Sequence, residues 1–169
     1  MVTLIGNDVR NGSFELLNGF PNAAKATHWD TDPDGDVDNW TVWPGESTAE
    51  NDSGTEATGA THGSKAAFLQ NGNAVYNLTN YVAKVGDAVA LRFDHPGGGA
   101  AIRAGIVYNS GTIGAPVISR LTAAELALTA TGNNKYLIYV IPAGSPAIGK
   151  AIGVASSQPA ASRKLTVSA

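Results

Sequence analysis

Residues 30–40, DTDPDGDVDNW, place carboxylates at Asp30, Asp32, Asp34, Asp36 and Asp38, every second position five times over. Five like charges on one strand face repel, so the stretch is either a solvated turn or a cage for a hard cation. Calcium takes six to eight oxygens from a flexible, turning backbone. Asp30, Asp32 and Asp34, followed by Gly35, match the first half of an EF-hand-like loop, and Asp38 falls at its ninth position. The twelfth position is Thr41 rather than a bidentate glutamate, and no helical pattern flanks the loop. Both readings, calcium site and acidic turn, stay open at this level.

A second chemistry lies in the aromatic residues. Sugars bind by laying their C–H faces on an exposed indole or phenol while polar groups hold the hydroxyls. Trp29, Trp40 and Trp43 fall within one stretch. Trp40 shares a face with Val42 and reads as core. Trp43 faces the other way beside Pro44 and reads as a platform, with Trp29, Tyr76 and Tyr108 as further candidate ligand-binding rings. The competing reading is that these rings pack a core or an interface, where Trp and Tyr are also favoured.

Catalytic motifs are sparse. His28, His62 and His95 lack the H-E-x-x-H spacing of a zinc site, and HGSK at 62–65 is not a G-x-S-x-G nucleophile elbow. HPGGGA at 95–100 lacks the Gly-Lys-Ser/Thr of a phosphate loop. The expectation is a protein that is not an enzyme.

The elements that must position these residues are read from period-two alternation. In DAVALRFDH (87–95), Val89, Leu91 and Phe93 point one way and Ala88, Ala90, Arg92 and Asp94 the other. AIRAGIVYN (101–109) repeats the pattern through Ile102, Ala104, Ile106 and Tyr108. KYLIYVI (135–141) stops at Pro142, and RKLTVSA closes the chain with Leu165 and Val167 in phase. LTAAELAL (121–128) carries a capping-box pair, Thr122 with Glu125, and is expected as a short helical turn leading into a strand. About ten short strands separated by Asn-Gly, Pro-Gly and triple-glycine turns predict an all-β sandwich or barrel. With 169 residues and no linker or repeat, a single domain over 1–169 is expected.

NGSFE (11–15), DNWTVW (38–43) and THGSKAAFLQ (61–70) resemble three strands of carbohydrate-binding modules with a β-sandwich jelly-roll fold. The later order LRFDH, LALTAT, LIYVIP and KLTVSA fits the same group. The resemblance implies a jelly roll and a glycan ligand. It also implies a structural calcium held by Glu15 and by acids opening the last strand, where this chain has Arg163 and Lys164.

Composition narrows the partners. The chain is 43 % hydrophobic, enough for a core, but only 15 % charged, against roughly 25 % in an average soluble protein. An underionised surface is natural for a packed assembly. TIGAPVI (112–118) and PAGSPAIGKAIGVASS (142–157) present apolar residues with little charge, as partner-facing patches do. A net charge of −3 with no basic run argues against nucleic acid. No stretch is long and apolar enough to span a bilayer. There is no cysteine, so disulfides are excluded. The first residues lack the basic start and apolar run of a secretory signal, so export by that route is not expected if Met1 is the native start; a fragment with an added Met is the other reading.

The expected function is a non-catalytic structural protein at a virion surface, a capsid decoration, cement or fibre component, forming a homo-oligomer or binding a lattice of another structural protein. The alternative is a stand-alone, extracellular carbohydrate-binding module that uses its tryptophans. Calorimetry with calcium separates the two readings of residues 30–38. A cage gives binding heat that Asp32→Ala and Asp34→Ala abolish, whereas a solvated turn gives none.

Overall fold

Alternating apolar residues turn into strands, and the strands pair into two antiparallel sheets. The computed structural model describes residues 4–5, 10, 27–28, 40–43, 54–56, 63–64, 66–69, 74–97, 102–128, 132–157 and 165–168. Among these lie eleven strands and no helix: β1 (Thr27–His28), β2 (Thr41–Val42), β3 (Gly54–Glu56), β4 (Ala66–Leu69), β5 (Ala74–Val82), β6 (Ala88–Gly97), β7 (Ile102–Asn109), β8 (Ile118–Leu128), β9 (Gly132–Val140), β10 (Ala151–Ser157) and β11 (Leu165–Ser168). One sheet runs β1-β3-β4-β11-β6-β9 and the other β2-β5-β10-β7-β8. From β4 onward the chain keeps crossing between the sheets, with β5, β7, β8 and β10 in one and β6, β9 and β11 in the other. The fold is an all-β sandwich of the jelly-roll kind.

The two sheets meet through their inner faces. Ala67, Leu69 and Leu91 come from the six-stranded sheet, and Val75, Ala104, Ile106, Leu121, Ala124 and Ile152 from the other, in one buried cluster. Trp40 sits in this cluster at 4 % exposure, in the core position implied by the face it shares with Val42. The alternation read for 87–95 holds over 88–92: Leu91 is buried and Val89 packs on the core, while Ala88, Ala90 and Arg92 face solvent; the Phe93 side chain lies outside the described ones. Among the described residues no helix is long and apolar enough to cross a membrane.

One element differs from its sequence reading. Residues 121–128 form no helical turn; they belong to the eleven-residue strand β8. The helix formers fall on a break in the ladder instead. Gly105 of β7 pairs with Glu125, and Val107 pairs with Arg120. Two steps along β7 thus correspond to five along β8, so the strand bulges at 121–124. Leu121 and Ala124, three apart, both enter the core, while Thr122 and Ala123 face solvent. Tertiary burial of these two apolar residues overrode the local helical preference.

Turn chemistry closes the connections. The Asp87 carboxylate accepts the Tyr81 hydroxyl and the Lys84 backbone N–H, each at 2.8 Å, and Gly86 takes the left-handed φ of 84° between them. That hydrogen bond holds the Tyr81 phenol above its usual range, because a phenolate would lose its donor and face the Asp87 charge. A second ladder break lies between β10 and β5, at Ala151/Gly153. A Cβ on Gly153 would collide with the carbonyl oxygen of Asn77. Gly153→Ala therefore forces backbone apart, at a cost of about 2 kcal/mol or more. The expected fall in melting temperature is roughly 5 °C, read by circular dichroism; an unchanged melt contradicts this register.

Candidate functional site

Where the inner face of the five-stranded sheet is largely apolar, with Asn77, Thr79 and Ser156 buried among its residues, its outer face carries a polar and aromatic cluster. The pairing register places these side chains. Ala155 of β10 lies between Tyr76 of β5 and Gly105 of β7, and Ser157 lies between Ala74 and Arg103. Next along, Arg103 and Gly105 pair with Ala127 and Glu125 of β8. Trp43 follows β2 and is tied to β5 by its N–H to the Ala74 carbonyl, 2.9 Å. A second apolar cluster results, with Trp43, Ala74, Val107 and Ala155 buried and Tyr76 and Ile118 packed against them.

The bulge in β8 builds the polar half. Arg120 and Glu125 are five residues apart, which in an unbroken strand puts them on opposite faces. The extra residues at 121–124 return both to the outer face. The Arg120 Nη1 donates to Glu125 Oε1 at 2.6 Å and its Nη2 to the Ser157 hydroxyl at 2.9 Å. The guanidinium carbon lies 4.9 Å from the centre of the Trp43 ring, a cation–π contact. Trp43 in turn meets Tyr76 edge-on, ring centres 6.3 Å apart at 79°. On the other side Glu125 Oε2 accepts Arg103 Nη2 at 3.0 Å. A continuous chain results, Tyr76–Trp43–Arg120–Glu125–Arg103, with Ser157 beneath it.

Exposure grades along this chain. The Arg120 and Glu125 side chains are 9 % and 13 % exposed, while Arg103 is 44 % exposed. Gly105 is required below Glu125, since a Cβ there would lie 2.8 Å from the Ala124 carbonyl oxygen and 2.9 Å from Glu125 Cγ.

The residues singled out from sequence are distributed unevenly. Tyr76 lies in this cluster, half-buried. Trp43 lies there too, but at 8 % exposure it is no open stacking platform: the Arg120 guanidinium occupies its face. Tyr108 points the other way and packs on the main core. Trp29, Glu15, Asp30, Asp32, Asp34, Asp36 and Asp38 lie outside the described residues. Among the described residues, no three acidic, histidine or cysteine side chains gather as metal ligands. Arg103, Arg120, Glu125 and Ser157 were missed. Their only trace was Glu125, read as half of a capping box. A spacing of five suits neither a helix face nor a strand face, so only the bulge reveals the pair.

No family model matches the chain, and no curated protein sequence matches it. Solved structures do. A stig cyclase, Fisc, from Fischerella sp. TAU, solved with (3Z)-3-(1-methyl-2-pyrrolidinylidene)-3H-indole, is similar at a TM-score of 0.52 and 14 % identity over 94 % of both chains. The apo form of a cyclase from Fischerella sp. matches at 0.50 and 14 %, over 94 % of this chain and 93 % of that one. The CBM22-2 xylan-binding domain of Paenibacillus barcinonensis Xyn10C gives 0.47 and 12 %, over 84 % and 94 %. At such identities the two cyclases share the fold, and a shared fold leaves function to be argued from the site.

The two ion pairs differ in burial and so in worth. Removing the carboxylate in Glu125→Ala takes a charged partner from the Arg120 guanidinium at 9 % exposure, a loss of about 3 kcal/mol. Arg103→Ala breaks an outer pair that contributes at most about 1 kcal/mol. Chemical denaturation should rank the two variants in that order; equal losses refute the nested arrangement.

Proposed function

We propose that the chain is a non-catalytic, glycan-binding β-sandwich whose binding surface is the outer face of the five-stranded sheet. The observation that carries this reading is the chain of aromatic, guanidinium and carboxylate groups laid across four strands, with its accessible members at the ends. Tyr76 stands half-buried at one end, and Arg103 offers donors at 44 % exposure at the other. Trp43, Arg120 and Glu125 hold those ends in place rather than meeting the ligand broadside. Binding is favoured over catalysis because the inner polar groups are committed to one another. Each oxygen of Glu125 accepts a guanidinium N–H, and the Ser157 hydroxyl accepts a third. Such a set holds shape; it does not exchange protons with a substrate. Affinity electrophoresis against soluble plant and microbial polysaccharides tests the reading. Retardation by at least one glycan is expected, weakened roughly tenfold in Tyr76→Ala, with the melting temperature kept within a few degrees. No retardation by any of them, or a Tyr76→Ala variant that binds undiminished, overturns it.

A second reading, a subunit of an assembly such as a virion surface, is favoured by the opposite side of the molecule. Tyr136, Ile138 and Val140 are 59 %, 71 % and 56 % exposed in a row on β9, the end strand of the six-stranded sheet. They flank the exposed Ala88 and Ala90 of β6, their cross-strand partners at Val140 and Ile138. Natural edges are usually guarded by charge or proline, and an apolar one invites a second copy. Light scattering reads this directly: a trimer or larger species that Ile138→Lys dissociates supports it, and a clean monomer removes it.

A further inference from the structure

The five strands that form the candidate binding face carry three charged residues among them: Arg103 on β7 and Arg120 and Glu125 on β8. All three lie on the outer face, joined through Glu125. β2, β5 and β10 contribute none. The sheet is thus one charge positive within a chain whose net charge is −3. That imbalance is placed, not averaged. Arg120 and Glu125, nearly buried and 2.6 Å apart, neutralise each other in the interior of the cluster. Among the charged residues of these strands, the charge left over is therefore that of Arg103, whose side chain is 44 % exposed. Arg103 commits Nη2 to Glu125 Oε2. A guanidinium has five N–H donors in a planar fork, so most of its donors remain for a ligand. The one carboxylate of the cluster among the described residues, the acceptor a neutral sugar hydroxyl would seek, already accepts two guanidinium groups.

Resting on the glycan-binding reading above, we infer that the ligand of this face is an acidic saccharide, bearing carboxylate or sulfate, with its anionic group bound by Arg103 and its ring against Tyr76. A planar carboxylate matches the guanidinium fork, and a sulfate matches it through two of its oxygens. The Glu125 contact turns the fork into a fixed orientation, which lowers the ordering cost of binding. Arg103 is a ligand contact here, while Glu125 and Arg120 are positioning residues.

Titration calorimetry of the full chain with four probes tests this: polygalacturonate, its methyl ester, dextran sulfate and dextran. Polygalacturonate or dextran sulfate binds at least tenfold more tightly than its neutral counterpart, and added salt weakens that binding. Whichever acidic probe binds identifies the anionic group. Arg103→Gln brings the acidic probe down to the level of the neutral one, Arg103→Lys retains part of the difference, and Lys150→Gln, a charge removed outside these strands, changes nothing. Equal binding of acidic and neutral probes overturns the inference, as does an Arg103→Gln variant that keeps its acid preference or a Lys150→Gln variant that loses it. Neutral binding alone, abolished by Tyr76→Ala, leaves the glycan face standing and removes the acidic ligand. No heat with any probe, together with no retardation by the wider polysaccharide set, removes both.

Discussion

A guanidinium and a carboxylate taken from water cost several kcal/mol each unless they meet at good geometry and find further hydrogen bonds. Arg120 and Glu125 meet that demand through the break in the β8 ladder, which turns two residues of opposite parity to the same face. The rest of the outer face follows from it. Gly105 lacks a side chain because Glu125 and the Ala124 carbonyl fill the space. Trp43 is buried because the guanidinium covers its ring, and Ser157 supplies the hydroxyl that Arg120 still needs. The inner face gains from the same break, since Leu121 and Ala124 both reach the core. A bulge that re-aims side chains on one surface and fills the interior on the other is a common device beside functional sites.

Rigidity on this face comes from sources on either side of it. Behind it stands the interior shared with the six-stranded sheet. Beside it, the connection from β7 to β8 is held by the Asn109 side chain together with the Ser110 hydroxyl, which donates to the Val117 carbonyl at 3.0 Å. Asn109 accepts the Gly111 and Val117 backbone N–H groups at 2.9 Å each and donates to the Thr112 carbonyl at 3.0 Å. This fixes where β8 begins, and so where Ile118 and Arg120 sit. Groups carried on paired strands hold a ligand-competent geometry better than groups on loops. Asn77 opens an Asn-x-Thr triplet, the pattern of a glycosylation acceptor, but it is fully buried and exchanges hydrogen bonds with Arg10.

The two surfaces that favour different roles lie on opposite sheets. One is polar, aromatic and internally committed; the other is an apolar row of Tyr136, Ile138 and Val140 at a sheet end. Neither excludes the other in one molecule, because the layers between them are tied by the core and not by either surface. The low charged fraction of the chain, 15 %, is realised in this way. Charge on the five-stranded sheet is confined to Arg103, Arg120 and Glu125, while the strands of the six-stranded one carry Glu56, Arg92, Asp94 and Lys135.

Alternation of apolar and polar residues depends only on the two-residue period of extended chain, so strand identity, the inward faces of β6 and β7 and the all-β class were legible in the amino-acid order. Tyr76 was legible as an aromatic with a share in the outer surface. Local order also proposed a helical turn at 121–128 and an open ring at Trp43, and both were decided otherwise. A capping box and good helix formers describe what a segment prefers alone; burial of Leu121 and Ala124 between two sheets outweighs that preference. Whether an indole is bare or covered depends on what a distant strand brings to it, here an arginine 77 positions away. Strand order, ladder breaks and the gathering of Arg103, Arg120, Glu125 and Ser157 are set by pairings between remote segments. The sequence alone determined which residues are able to lie in a sheet, because that is a local property of the backbone; only the tertiary structure decided which of them meet, because meeting depends on long-range register.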